Sequence, residues 1–207
     1  MNAITIFKPL SILLVALFSF IITFSAIAKP DASASQLNMA VGNQQSKLEI
    51  YVFSDWLCPV CVKVEEVIEA AYPTLSRKAK ITFVDKIIHP EAANFVPYHL
   101  SFAAQEKDKY LQLRKTLFAV AKKTKNPTND DIITAIAPLK IVYKQLSFLE
   151  VTQQMASFQK LSDQFSVNST PTMVIRNSKS GKVKVLVGST EITSDLIVKA
   201  IKEIEQS

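Results

Sequence analysis

A strand-like run, KLEIYVFSDW, gives way almost at once to a helix-like run, VCVKVEEVIEAAY, and the chain's two cysteines, Cys58 and Cys61, stand at the junction. The first run is rich in β-branched and aromatic residues, as a buried strand requires. The second places Val64, Val67, Ile68 and Ala71 at helical spacing, with Lys63, Glu65, Glu66 and Glu69 expected to turn away. Both sulfurs therefore fall at the start of a helix that leaves a sheet. There the free backbone N–H groups and the helix dipole favour a thiolate. This is the geometry of a redox site.

The address of the chain gives the cysteine pair its meaning. Residues 1–28 read as a secretory signal: Lys8 is the positive start, Leu10 to Phe24 is nearly all apolar, and Ala26-Ile27-Ala28 is a small-x-small cleavage site. Ala32-Ser33-Ala34 is a second cleavage candidate, and an uncleaved anchor is the alternative. Either way the folded part is expected outside the cytoplasm, in the periplasm, where disulfides persist. A bridge between Cys58 and Cys61 would close a very small loop and so stabilise the fold weakly, which suits opening and closing better than stapling. Zinc would need two further ligands, and the chain offers only His89 and His99, so no metal is expected. The net charge of +6 is spread without a run of five basic residues, which argues against a nucleic-acid partner. With only Gly42, Gly181 and Gly188, the chain has no phosphate-cradling glycine loop, and no cofactor is expected.

Along the chain, residues 29–37 read as a linker and Asn38 to Val41 as a short strand turned at Gly42 and Asn43. A strand near 47–53, a helix near 58–71 that Pro73 bends or ends, and a strand at 80–88 make a β-α-β core, the first part of which spans 38–90. From 91 to 165 helical periodicity replaces the strands. Tyr110, Leu113, Leu117 and Val120 form one face, Asn129 is an expected N-cap, and Val151, Met155, Phe158, Leu161 and Phe165 form another. The second part of the core, 166–207, begins with a hairpin of Thr172 to Arg176 and Val183 to Val187. A helix then follows, with Ser194 as expected N-cap and Ile197, Ala200, Ile201 and Ile204 inward.

This order, α/β with β-α-β, helices, then β-β-α, resembles the thioredoxin fold carrying an inserted all-helical subdomain. Four stretches sharpen the resemblance towards the DsbA-like thiol–disulfide oxidoreductases of bacterial envelopes: GNQQSKLEIYVFSDWLCPVC (Gly42 to Cys61), IIHPEAANF (Ile87 to Phe95), KYLQLRKTLFA (Lys109 to Ala119) and FSVNSTPTMVIRN (Phe165 to Asn177). Two departures stand out. The family often carries a buried glutamate, a proton acceptor, where this chain has Val52, and a glycine where it has Ser169.

The resemblance implies that Cys58 is the exposed nucleophile and that Cys61, facing inward one turn on, resolves the mixed disulfide. It implies a redox-active Cys58–Cys61 disulfide, a cis Pro171, and a Thr170 that faces the disulfide and offers its backbone to substrate as an added strand. Pro59 suits the first helical turn. Val60 supplies neither the donor nor the cation that a histidine there would give, so a less oxidising couple is expected than in CPHC relatives. Trp56 either shapes the site or packs in the core. Asp55 forms the turn or moves a proton, Lys63 lies on a solvated face or near the thiolate, and His89, His99, Phe95, Tyr98 and Phe102 are expected to be packing or surface residues. The first functional expectation is an exported dithiol oxidase that passes its disulfide to cysteine-containing proteins as they fold and is reoxidised by a membrane quinone-linked protein. The rivals are a disulfide reductase or isomerase, and a client-binding holdase whose disulfide is inert. No dimerisation segment is evident ahead of the core, so a monomer is expected.

Overall fold

The computed structural model describes residues Leu37–Gln206; the expected signal segment, and all of the expected linker but its last residue, lie outside them. Strand β1 (Ala40–Gly42) is followed by β2 (Leu48–Ser54), helix α1 (Pro59–Lys78) and β3 (Lys80–Asp85). Four helices then intervene: α2 (Val96–Gln105), α3 (Tyr110–Ala121), α4 (Asn129–Ile136) and α5 (Phe148–Gln164). The chain closes with β4 (Thr172–Asn177), β5 (Val183–Val187), the short α6 (Gly188–Glu191) and α7 (Ser194–Glu205).

The strands form one sheet in the order β1-β3-β2-β4-β5. β2 lies at its centre, parallel to β3 and antiparallel to β4, with Val52 opposite both Phe83 and Met173. Six of the seven β2 residues are buried, which accounts for its nearly continuous apolar sequence. Helices α1 and α7 pack on the sheet and on each other, while α2 meets β1 and α5 meets β3. The apolar stripe of α7 turns inward as its spacing requires, with Ile197, Ala200, Ile201 and Ile204 all buried.

Several boundaries differ from the sequence expectation, each for a local reason. Helix α1 runs through Pro73 for 20 residues. Beyond the proline, Leu75 continues the buried stripe and Ala79 is fully buried, and this burial outweighs the missing hydrogen bond. The far end of α1 is also held by the chain ahead of β2: Asn43 N–H donates to Ala79 O at 3.0 Å and Asn43 Nδ2 to Arg77 O at 3.2 Å. Gly42 makes that approach possible. Its φ is +78°, and a Cβ there would lie 2.7 Å from Ala79 O. Strand β3 stops at Asp85 rather than continuing to Ile88, because the backbone N–H groups of Ile88 and His89 turn to the Asp55 carboxylate instead of to a neighbouring strand. The cap of α4 is Thr128, not Asn129: Asp131 N–H donates to Thr128 Oγ1 at 3.2 Å, and Thr128 N–H donates back to Asp131 at 2.8 Å. Asn129 instead accepts from the Tyr98 hydroxyl. Thr193, not Ser194, caps α7 through a bond from Leu196 N–H.

Candidate active site

The site forms where β2 ends. Asp55, fully buried, accepts through Oδ1 from Leu57 N–H at 2.8 Å and through Oδ2 from Ile88 N–H at 2.7 Å and His89 N–H at 2.9 Å. The His89 ring adds a contact at 3.0 Å. Asp55 is thus a clamp that fixes the turn ahead of the cysteines to the chain leaving β3. From that turn Cys58 emerges as the N-cap of α1, with extended backbone and Pro59 in the first helical turn.

Cys58 and Cys61 are unbridged. Cys61 N–H donates to Cys58 Sγ at 3.4 Å, so the amide end of the helix points at the first sulfur. On its other side Cys58 Sγ donates to Thr170 O at 3.6 Å. The antiparallel register of β2 with β4, Phe53 opposite Thr172, brings the Thr170 loop to this place from 112 residues away. The Thr170–Pro171 peptide bond is cis, as the resemblance implied. Thr170 is half-buried, Pro171 is buried, and Ser169, the glycine position of the family, is exposed. Its carbonyl accepts from Thr172 Oγ1 at 2.8 Å.

One expectation needs correction: Cys58 is not an openly exposed sulfur. It is 7% exposed against 2% for Cys61, because the Thr170 loop lies against it. The two thiols still differ in kind. Burial pushes the Cys61 thiol up to about 12, and the Asp55 backbone amide and the Ser54 and Thr170 side chains only partly oppose this. Val52 sits between apolar neighbours at 1% exposure, so the family's buried carboxylate has no substitute at that position.

Pro59 is exposed and Val60 half-buried. Trp56 is a core residue: it is 2% exposed, its Nε1 donates to Asp85 Oδ1 at 2.9 Å, and its ring lies 4.6 Å from that of Phe118. It also lines a cleft beside Pro59. Phe95, Tyr98 and Phe102 are buried, and Lys63 is exposed. His99 is fully buried and bridges Asp85 at 2.7 Å and the Tyr110 hydroxyl at 2.8 Å.

A second buried polar contact was not read from the sequence. Glu65, expected to face solvent, is 5% exposed and accepts from Arg114 Nε at 2.6 Å. The Arg114 guanidinium lies over Phe83, Phe118 and Trp56, 4.4 Å from the Phe83 ring. Burial works against its charge, but Glu65 and Tyr110 outweigh burial and hold it protonated. A signal for this pair existed. Positions 61, 64, 65 and 68 in α1, and 110, 113, 114 and 117 in α3, each follow the i, i+3, i+4, i+7 spacing of a buried face.

Known proteins are consistent with this architecture. The catalytic domain of Proteus mirabilis ScsC superposes with a TM-score of 0.62 at 19% identity, covering 81% of this chain and 89% of that one. A periplasmic thioredoxin-like protein from Salmonella enterica serovar Typhimurium gives 0.63 at 17% identity, covering 82% and 91%. The thiol-disulfide exchange protein alpha-DsbA2 from Wolbachia pipientis gives 0.55 at 18% identity, covering 79% and 85%. No curated protein matches the sequence. At these identities the superpositions establish the fold, thioredoxin-like with a helical insertion. The sequence profile described as thioredoxin matches residues 34–202, and by that match the chain belongs to the thioredoxin family.

Proposed function

We propose that this protein is an exported thiol–disulfide oxidoreductase whose Cys58–Cys61 pair passes a disulfide to cysteine-containing proteins as they fold. The observation that carries the reading is the setting of Cys58 Sγ. It takes the Cys61 N–H at the amide end of α1 and lies 3.6 Å from the carbonyl of Thr170, beside Pro171. The amide end of a helix is turned towards that sulfur, and the Thr170 backbone beside it is where an extended client segment would align. In the forward step a client thiolate attacks Cys58 Sγ. The Cys58–Cys61 bond breaks, a client–Cys58 disulfide forms, and Cys61 leaves as a thiolate that takes up a proton. A second client thiolate then attacks the client sulfur of the mixed disulfide and releases Cys58. The client has lost two electrons and two protons, and the pair has gained two electrons. A membrane quinone-linked protein would take those electrons and restore the disulfide. The neighbours described as a periplasmic protein and as a thiol-disulfide exchange protein support the compartment and the chemistry.

Thiol trapping of the pair in intact cells tests the direction of electron flow. A pair found mostly oxidised supports the oxidase, and a mostly reduced pair would replace it with a reductase or isomerase. That second reading draws on Val60, which offers no donor or cation beside Cys58 to stabilise the reduced form. The same argument predicts that Val60→His raises the reduction potential by roughly 30 mV or more, measured against glutathione. A potential that stays put or falls would remove Val60 from the account.

A further inference from the structure

A cleft of about 370 Å³ opens beside the cysteine pair, between the start of α1 and the end of α3. Trp56, Leu57, Pro59, Val62 and Ala121 make it apolar, and Lys63, Lys122 and Lys125 also line it. Leu57 and Pro59 flank Cys58 in the chain, so the cleft opens at the turn that carries the reacting sulfur, although Cys58 itself is not among its walls. Thr170 and Pro171 are not among its walls, so it extends recognition to a side that the Thr170 loop does not serve.

The charge of this cleft is only weakly compensated. Lys63, Lys122 and Lys125 are exposed, and neither Lys63 nor Lys122 has an acidic partner within ion-pair distance among the described residues. Lys125 has only Glu91 at 3.8 Å, a surface pair of little strength. The adjoining cleft along α1, about 170 Å³, is lined by Glu66 and Glu69 and shares Lys122 with the first, and Glu69 is bound by Lys115 at 2.8 Å. Three lysines without a strong acidic partner therefore stand around an apolar floor at the active-site turn, a setting that attracts a negatively charged segment.

We infer that this cleft selects clients in which the attacking cysteine is flanked by an apolar and an acidic residue. The apolar side chain covers Leu57, Pro59 and Val62, and the carboxylate meets Lys63, Lys122 and Lys125. The inference rests on the oxidoreductase reading and specifies its substrate class.

The test uses three fluorescent peptides that differ only beside their single cysteine: leucine with aspartate, leucine with serine, and leucine with lysine. Each is measured for its rate of exchange with the oxidised full protein, two peptide thiols becoming one disulfide-linked dimer for each Cys58–Cys61 bond reduced. Each is also measured for binding to the Cys58→Ser protein by anisotropy, which needs no redox chemistry. At low salt the acidic peptide should exchange about tenfold faster than the lysine peptide, and bind Cys58→Ser more tightly. Near 1 M salt, where charges are screened within about 3 Å, the gap should close. The double substitution Lys122→Glu with Lys125→Glu should reverse the order of the peptides, the ratio of rates being the readout. Equal rates and equal binding for the three peptides would overturn the inference while leaving the redox reading intact. Absence of exchange with every peptide would defeat the redox reading, and the binding series would still decide the cleft. Retention on phosphatidylglycerol vesicles that the lysine variant loses, with no ranking among the peptides, would assign the cleft to a membrane surface and overturn the client inference.

Discussion

At the scale of single residues, the two cysteines are separated by what surrounds them more than by their spacing. Cys58 is the cap of a helix and Cys61 is sealed beneath it, with burial as the main cause of its raised pKa. In the reduced protein the folded state therefore holds the Cys61 proton more tightly than the unfolded chain does. That contribution is fully present below about pH 9 and is lost as the pH climbs towards about 12. Urea denaturation of the reduced protein should show stability falling across this window, and Cys61→Ala should flatten the fall. A curve of unchanged slope would count against a sealed thiol. Arg114 and Glu65 give a second prediction. Arg114→Met leaves the Glu65 carboxylate buried without its partner and should cost about 3–5 kcal/mol, and adding Glu65→Leu should recover most of it. The cysteine pair was legible in the sequence because its placement at a strand-to-helix junction is carried by local order, whereas Thr170-Pro171, 112 residues on, was reached only through the family resemblance. For Glu65 the helical spacing allowed burial, but its charge argued for solvent, and the arginine that resolves the conflict lies 49 residues away on a helix whose position the sequence does not state.

At the scale of elements, what could be read was the type of each segment, and what could not was where it stops. The inward face of α7 follows from 3.6-residue spacing alone, whereas in β5 the alternating Val183, Val185 and Val187 are exposed and Leu186 is the buried residue. Helix α1 shows the limit. Proline is a terminator in an isolated helix, costing about 3 kcal/mol, yet Leu75, Ala79 and the Asn43 contacts carry the helix on to Lys78. Since tertiary packing overrules local preference there, Pro73→Ala should stabilise the protein by about 1–3 kcal/mol in thermal or urea unfolding. A loss of stability would mean that the proline serves the packing rather than opposing it. The caps of α4 and α7 each fell one residue before the expected position. In both places two adjacent polar residues could serve, and only the backbone geometry chooses between them.

At the scale of the whole molecule, the helical insertion is joined to the sheet by buried polar contacts as well as by apolar ones. Asp85 on β3 binds His99 on α2, which binds Tyr110 on α3, while Arg114 on α3 binds Glu65 on α1. Groups buried at such a seam would be costly to expose on one side only, so the insertion and the sheet should unfold together. Far-ultraviolet circular dichroism and tryptophan emission should give one coincident urea transition, and two separated midpoints would show the insertion melting by itself. The chain has a single tryptophan, and it lies in that seam, against Phe95, His99 and Phe118 and two positions before Cys58. The molecule thus carries its own optical gauge. Light emitted by one indole reports from the same spot on how tightly the two halves are closed and on what happens at the neighbouring sulfur, with no dye attached.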